Sequence, residues 1–369
     1  MKVKVENRPI ILITGSAGLI GAKLAEAFSS EYQVVGMDVK RPERNAAGAD
    51  WVECDLTNDT SVAQSLATIW QKYGNHLASV IHLAAYYDFS GEPSPLYRKL
   101  TVEGTRRLLQ GLRQFETEQF VFSSTLLTMK PVEEGEVITE RSPVEDEEET
   151  WDYPRSKIEA ERVIRQGRGN IPAVILRIAG VYNEDCHSIP IAQQISRIYE
   201  KKLESYFFPG DADHGQAFVH LNDLVDCFRR VVALRGELNQ REIFLIAEPE
   251  VMSYAELQDS LGNLIHGKDW PAIRIPKAVA KVGAWVQDRL AGDDGAFIKP
   301  WMVDLADAHY PVEIERARRR LGWEPAYHLR ATLGEMVSRL KRDPQRWYQI
   351  NGLAPLVESK ERKAGTGQK

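Results

Sequence analysis

Tyr153 and Lys157 stand four residues apart in the run Tyr-Pro-Arg-Ser-Lys, a spacing that puts both side chains on one face of a helix. An ammonium beside a phenol favours the phenolate and brings it below its ordinary pKa of about 10. A tyrosine so tuned can exchange a proton with a substrate hydroxyl. One strand upstream, Ser123-Ser124-Thr125 offers hydroxyls able to hold the substrate oxygen and help its alkoxide form. A tyrosine–lysine pair is common by chance, and its weight here comes from what precedes it.

Thr14-Gly15-Ser-Ala-Gly18-Leu-Ile-Gly21 spells G-x-x-G-x-x-G between a predicted strand and a predicted helix. Glycines let the backbone turn tightly and approach a pyrophosphate, whose charge then sits at the positive end of the helix. Gly15, Ala17, Gly18, Leu19, Ile20 and Gly21 are therefore expected to cradle a dinucleotide. Asp38 ends the second predicted strand, where a carboxylate accepts hydrogen bonds from the ribose hydroxyls and repels a 2′-phosphate. That selects NAD over NADP, although Lys40 and Arg41 follow at once and could accommodate a phosphate in an altered loop. Asp55, with Leu56 beside it after the third strand, could bond the adenine amine or equally cap the next helix.

The elements that must position these groups alternate along the chain. Strands are predicted at 9–14, 33–37, 50–54, 79–83, 119–123, 173–178 and 242–247, and helices at 19–30, 59–73, 97–114, 154–168, 222–234 and 254–265. Ser253 is a good N-cap for the last of these. Continuous apolar strands separated by helices indicate a parallel sheet covered on both faces. The expected fold is α/β, a doubly wound Rossmann-type sheet followed by a smaller, mainly helical C-terminal lobe. Residues 1–180 would bind the dinucleotide, with 216–247 returning to that domain. Residues 181–357 would form the substrate lobe and 358–369 a disordered tail. Residues 181–215 show no clear periodicity. The acidic run between Glu133 and Glu149 reads as a solvated loop.

Composition narrows the partners. Lys and Arg number 47 against 53 Asp and Glu, a net charge of −6 that gives no basic surface for nucleic acid. Cys54, Cys186 and Cys227 are widely spaced and suit neither a disulfide framework nor a zinc site, which fits a reducing cytoplasm. No run approaches the roughly 18 apolar residues of a membrane span, so no membrane partner is expected. Cys186-His187 lacks a second ligand at useful spacing, so a structural or solvent-exposed role is preferred over a metal. His82 and His220 lie in apolar strand contexts and read as core histidines.

Taken together, the chain resembles the extended short-chain dehydrogenase/reductases, the NAD-dependent epimerase/dehydratase family. The resemblance rests on the glycine loop, Asp38, Asp55, His82-Leu-Ala-Ala85, Gly104-Thr105, Phe122-Ser-Ser-Thr125, Tyr153/Lys157, Leu176-Arg-Ile-Ala-Gly-Val-Tyr182, Phe218-Val-His-Leu-Asn-Asp223 and Leu321-Gly-Trp-Glu-Pro325. It implies Thr125 as the catalytic hydroxyl with Ser124 beside it, and Leu83, Ala84 and Ala85 along the cofactor. It also implies Ala179, Gly180 and Val181 at the nicotinamide amide, and a homodimer through helices 97–114 and 154–168.

Departures from the family pattern bear on the reaction. Leu126-Leu127 stand where dehydratases of the family place an acidic pair, which argues against sugar dehydration. Gln216 replaces an arginine that nucleotide-sugar enzymes use for the diphosphate; His214 or Arg197 could substitute. Thr101 replaces the usual asparagine. Tyr86, Tyr87, Phe89, Leu126, Leu127, Met129, Tyr182, Phe207 and Phe208 are core or pocket candidates. Of these, Tyr86, Leu126 and Tyr182, with Gln216, are the substrate-facing expectation. A helix at 276–290, with Trp301 and Met302 beyond, is similar to the steroid-dehydrogenase and flavonol-reductase branches. The leading expectation is an NAD-dependent oxidoreductase interconverting a secondary alcohol and a ketone on a small-molecule substrate, without a metal. Alternatives are a nucleotide-sugar epimerase and a non-catalytic NAD-binding regulator.

Overall fold

Four consecutive apolar residues ahead of Thr14 can be buried only at the centre of a sheet covered on both sides, and β1 (Ile10–Thr14) is buried along its whole length. The computed structural model describes residues 8–42, 48–88, 92–280, 303 and 306–356. β1 is followed by β2 (Gln33–Asp38), β3 (Ala49–Glu53), β4 (Ser79–His82), β5 (Phe120–Thr125) and β6 (Ala173–Ile178). Three short strands come next: β7 (Gly180–Tyr182), β8 (Phe207–Pro209) and β9 (Phe218–His220). β10 (Arg241–Ile246) then returns to the large sheet, and β11 (Ile273–Ile275) pairs with β8. The seven-stranded sheet is wholly parallel, in the order β10-β6-β5-β4-β1-β2-β3. The chain winds one way from β1 to β3 and the other way from β4, leaving a crevice between β1 and β4 at their carboxyl ends.

Alternate residues of β1 feed opposite cores. Ile11 and Ile13 join Leu24 and Phe28 of α1 (Leu19–Phe28), with Phe228 and Val231 of α6 (Leu221–Ala233). Ile10 and Leu12 join side chains of α2 (Asp59–Tyr73), α3 (Glu103–Leu112) and α4 (Asp152–Gly167) on the other face. A third core lies beyond the sheet. It unites α5 (Ile189–Tyr199), α7 (Tyr254–His266), α9 (Leu329–Arg342) and α10 (Pro344–Ile350) through Ile195, Leu261, Met336 and Trp347. Between α7 and α9, α8 (Glu315–Leu321) docks on the sheet edge, where Arg316 and Arg320 clamp the buried carboxylate of Glu242.

Three local expectations are corrected. The segment 97–114 is not one α-helix: Tyr97–Val102 is a π-helical turn leading into α3, and the Thr105 hydroxyl donates to the Thr101 carbonyl at 2.6 Å. α5 arises inside the stretch that showed no periodicity, with Pro190 in its first turn, where a missing amide costs nothing. The acidic run is docked rather than free in solvent. Ile138 is fully buried, and its amide donates to the Pro311 carbonyl at 2.8 Å; the Glu313 amide donates back to Ile138 at 2.9 Å. Most of its carboxylates, such as Glu133, Glu134, Glu136 and Glu149, remain exposed, so charge is hydrated while backbone is pinned. Phe89, most of the predicted helix 276–290, Trp301, Met302 and the tail 358–369 lie outside the described residues. Among the described residues no helix is long and apolar enough to cross a membrane.

Candidate functional site

Parallel pairing brings the chemistry-bearing residues to one edge. Thr14 is level with Met37 and His82, His82 with Phe122, and Thr125 with Ile178. The segments that follow β1, β2, β4, β5 and β6 therefore converge above the crevice. Gly15 sits at φ 71°, and a Cβ there would lie 2.9 Å from the Ala84 amide nitrogen. A Cβ on Gly21 would be driven into the Gly15 carbonyl, so both positions require glycine. Asp38 fastens the loop: its carboxylate accepts the Ala17 amide at 3.0 Å and the Lys40 amide at 3.0 Å. Leu19, Ile20 and Gly21 open α1 directly behind Gly18, its N-cap. Asp55 is not the cap of α2. Asn58 holds that place, accepting the Ser61 amide, while Asp55 closes a turn on the Thr57 amide and hydroxyl at 2.8 and 2.7 Å. Leu56 is buried beside it.

His82 ties this edge together. Because the Thr105 hydroxyl donates to Thr101, it must accept from His82 Nε2 at 2.8 Å. Nδ1 then accepts the Thr14 hydroxyl at 2.7 Å, and Thr14 Oγ1 accepts the Ala84 amide at 3.3 Å. Burial pushes the imidazole down to about 3, so it stays neutral and serves as a two-ended tether rather than a proton carrier.

Tyr153, Lys157 and Glu161 descend one face of α4 at successive turns. Lys157 Nζ donates to the Ser123 carbonyl at 2.7 Å and lies 5.9 Å from the centre of the Tyr153 ring. Burial pushes the lysine down to about 7, against the pull of Glu161. Burial also pushes the Tyr153 phenol up to about 12, only partly offset by its hydrogen bond with Thr125. The expected lowering of the phenol by an adjacent ammonium is thus corrected. Desolvation outweighs the pairing, since the amine turns to a carbonyl rather than to the phenol. Ser124 is corrected as well: its hydroxyl donates to Glu161 Oε1 at 2.6 Å. Glu161 in turn holds Arg177 through two contacts of 3.1 and 2.7 Å, both side chains only 6% exposed. Ser124 therefore lines the cavity with its hydroxyl committed to a buried ionic network, and Thr125 is the hydroxyl at the phenol.

A cavity of about 510 Å³ opens from these groups. Its walls include Ile20, Leu83, Ala85, Thr125, Tyr153, Lys157, Ala179, Gly180 and Val181, so candidate cofactor and catalytic residues share one space. Leu126, Leu127, Tyr87, Trp151, Phe207, Phe208 and Phe218 give it a largely apolar character, with Gln216 and Arg197 among its polar members. Two substrate-facing expectations fail. Tyr182 is fully buried and donates its hydroxyl to Glu248 at 2.6 Å. Tyr86 is not in the wall; its hydroxyl donates to Asp88 at 3.3 Å and its ring packs edge-on against Tyr97. The neighbouring Tyr87 takes the position, edge-on to Tyr153 with ring centres 4.9 Å apart. His214 does not substitute for the missing arginine, because it is engaged with the Asp307 carbonyl at 2.6 Å and lies outside the cavity. Trp151 and Tyr254 line the cavity without having been anticipated there, and of the two Trp151, two residues before Tyr153, carried a sequence signal. His187, singled out with Cys186 in the sequence and read as structural or solvent-exposed, also lines it.

Comparison with known proteins agrees with this architecture. The sequence model of the NAD dependent epimerase/dehydratase family matches residues 11–247. The chain is 21% identical to a decarboxylating sterol-4-alpha-carboxylate 3-dehydrogenase of Candida albicans, over 92% of this chain and 99% of that protein. It is 23% identical to the human 3 beta-hydroxysteroid dehydrogenase type 7, over 86% of this chain and 92% of that protein. A solved UDP-glucose 4-epimerase of Thermus thermophilus, in complex with NAD, superposes with a TM-score of 0.65 at 19% identity, over 90% of this chain and 99% of that one.

Proposed function

Since the chain belongs to the NAD dependent epimerase/dehydratase family, we propose that this NAD-dependent enzyme interconverts a secondary alcohol and a ketone on an apolar, fused-ring substrate of the hydroxysteroid class. The observation that carries the reading is the wall around the phenol: Tyr87 and Trp151 pack against Tyr153, and Leu126 and Leu127 follow Thr125. Among the described lining residues the one carboxylate is Glu204, beside Arg197. Such a surface suits a flat hydrocarbon better than a sugar. The two steroid dehydrogenases to which the chain is similar point the same way.

The glycine loop fits NAD, because backbone already fills the space a Cβ would need at Gly15 and Gly21, and Asp38 stands at the end of β2. NAD supplies the hydride acceptor when bound. Gly15, Ala17, Gly18, Leu19, Ile20 and Gly21 would hold its pyrophosphate, Asp38 its ribose, and Ala84, Ala85, Ala179, Gly180 and Val181 its nicotinamide side. Asp55 and Leu56 would meet the adenine. Thr125 would orient the alcohol oxygen, Tyr153 would take its proton, and Lys157 would hold the ribose. Asp38→Asn should raise the affinity for NADP relative to NAD by about tenfold, or roughly 1.4 kcal/mol. Parallel titrations of the two cofactors measure the ratio, and an unchanged ratio would remove Asp38 from the selection.

Nucleotide-sugar epimerisation is the second reading, favoured by Arg197 in the cavity wall. Against it, the carboxylate of Glu204 already stands beside the Arg197 guanidinium and would compete with a diphosphate for it. Thermal shifts with NAD plus either a hydroxysteroid or UDP-glucose, followed by NADH formation, test both. Stabilisation and NADH with the steroid alone are expected; a shift with UDP-glucose alone would reverse the order of the readings. In this reading residues 181–357 contribute the substrate side, and the chain works as a cytoplasmic homodimer through the 97–114 segment and α4.

A further inference from the structure

The segment 183–188, between β7 and α5, brings His187 and Ser188 into the cavity wall. Cys186 and His187 are consecutive non-glycine residues at φ 78° and 52°. Such a pair persists only where the surroundings over-determine it, and it often marks a functional position. Here the surroundings are two asparagine side chains. Asn351, just past α10, accepts the His187 amide at 2.8 Å through Oδ1 and donates through Nδ2 to the Asp185 and Trp347 carbonyls, each at 2.9 Å. Asn183 Oδ1 accepts the Asp185 amide at 2.9 Å, and His187 Nδ1 lies 2.9 Å from the same oxygen. Arg339 adds an ion pair to Asp185 at 2.9 Å.

These bonds settle the histidine's tautomer. Asn183 Oδ1 is an acceptor, so His187 Nδ1 must be the donor, and Nε2 carries the lone pair. Burial holds the imidazole below its ordinary value, with Asp185 pulling weakly the other way, so this neutral form prevails near neutral pH. His187 lines the cavity, and among the described residues Nε2 has no hydrogen-bond partner. Cys186 is spent structurally: it is fully buried, with its thiol 3.5 Å from the Ser188 carbonyl.

We propose that His187 is a specificity-determining residue whose Nε2 accepts a hydrogen bond from a second hydroxyl of the substrate, remote from the one that reacts. Resting on the hydroxysteroid reading, the inference narrows the substrate to a polyhydroxylated ring system. A site built to bond a hydroxyl discriminates against the analogue lacking it, because the polar group is otherwise left unpaired. His187→Gly deletes the imidazole while suiting the left-handed backbone, and His187→Asn keeps an acceptor in a residue that tolerates that backbone.

The probes are androstenol and a set of androstenediols carrying the second hydroxyl on different rings, assayed with NAD in the wild type and both variants. At least one diol should be preferred over androstenol by about five- to tenfold in kcat/KM, mainly through KM. That ratio should fall to near one in His187→Gly and be partly restored in His187→Asn. A wild type that prefers no diol, or a preference surviving in His187→Gly, overturns the proposal while leaving the oxidoreductase reading intact. If no NADH forms from any probe, that reading fails instead. The difference in thermal shift between diol and androstenol, in wild type and His187→Gly, then decides the contact independently: loss of the difference supports it, and an equal difference or none in the wild type overturns it.

Discussion

Replacing Tyr153 by phenylalanine is expected to lower kcat by about 10²–10⁴-fold while leaving NAD affinity within a few-fold. The change removes one oxygen and little else. The ring keeps its edge contact with Tyr87 at 4.9 Å and its tilted contact with Trp151 at 5.6 Å, and Lys157 stays bonded to Ser123. Loss of turnover would therefore report the missing proton acceptor rather than a collapsed site. The wild type should also show a sign in pH. Alcohol oxidation needs a deprotonated group to take the proton, and burial has pushed the phenol up to about 12. Oxidation should thus accelerate as pH rises, and the phenylalanine variant should lose that dependence. Steady-state rates with NAD across pH, paired with cofactor titration, check both parts. Turnover within tenfold of the wild type would take the proton-transfer role away from Tyr153.

Arg177→Leu should destabilise the fold by about 3–5 kcal/mol, the cost of stranding one member of a buried ion pair. Without the guanidinium, Glu161, whose side chain is 6% exposed in the native protein, keeps the Ser124 hydroxyl at 2.6 Å and the more distant Lys157 but loses both contacts to Arg177. The Arg177→Leu, Glu161→Leu double variant should recover most of that loss, since replacing both ions with apolar groups removes the stranded charge. Urea unfolding of the single and double variants measures the difference. A single variant within about 1 kcal/mol of wild type would mean that water reaches Glu161 and the network is not closed.

The fold could be read from the sequence because burial on both faces leaves a local trace. Runs such as residues 10–13 are apolar without alternation, and their spacing between helices dictates the parallel sheet. The glycine loop and the Tyr153/Lys157 spacing were legible for the same reason, being patterns within one or two turns of chain. What escaped were partnerships made across the fold. Nothing near Tyr182 announces that its hydroxyl ends on Glu248, and nothing near Ser124 announces Glu161. Protonation escaped too, because the shifts of Tyr153 and Lys157 come from desolvation, which depends on everything packed around them. Tyr86 and Tyr87 show how fine the margin is: neighbouring side chains leave the backbone in different directions, and only one meets the phenol.

The lock on residues 183–188 has a consequence for the order in which the molecule is made. Domains take shape as the chain is synthesised, N-terminal parts first. The crevice between β1 and β4 draws on residues before Val181, whereas the wall carrying His187 is fixed by Asn351, in the last described turn of the chain. A nascent chain therefore holds the parts of the crevice between β1 and β4 long before it can finish the wall that carries His187.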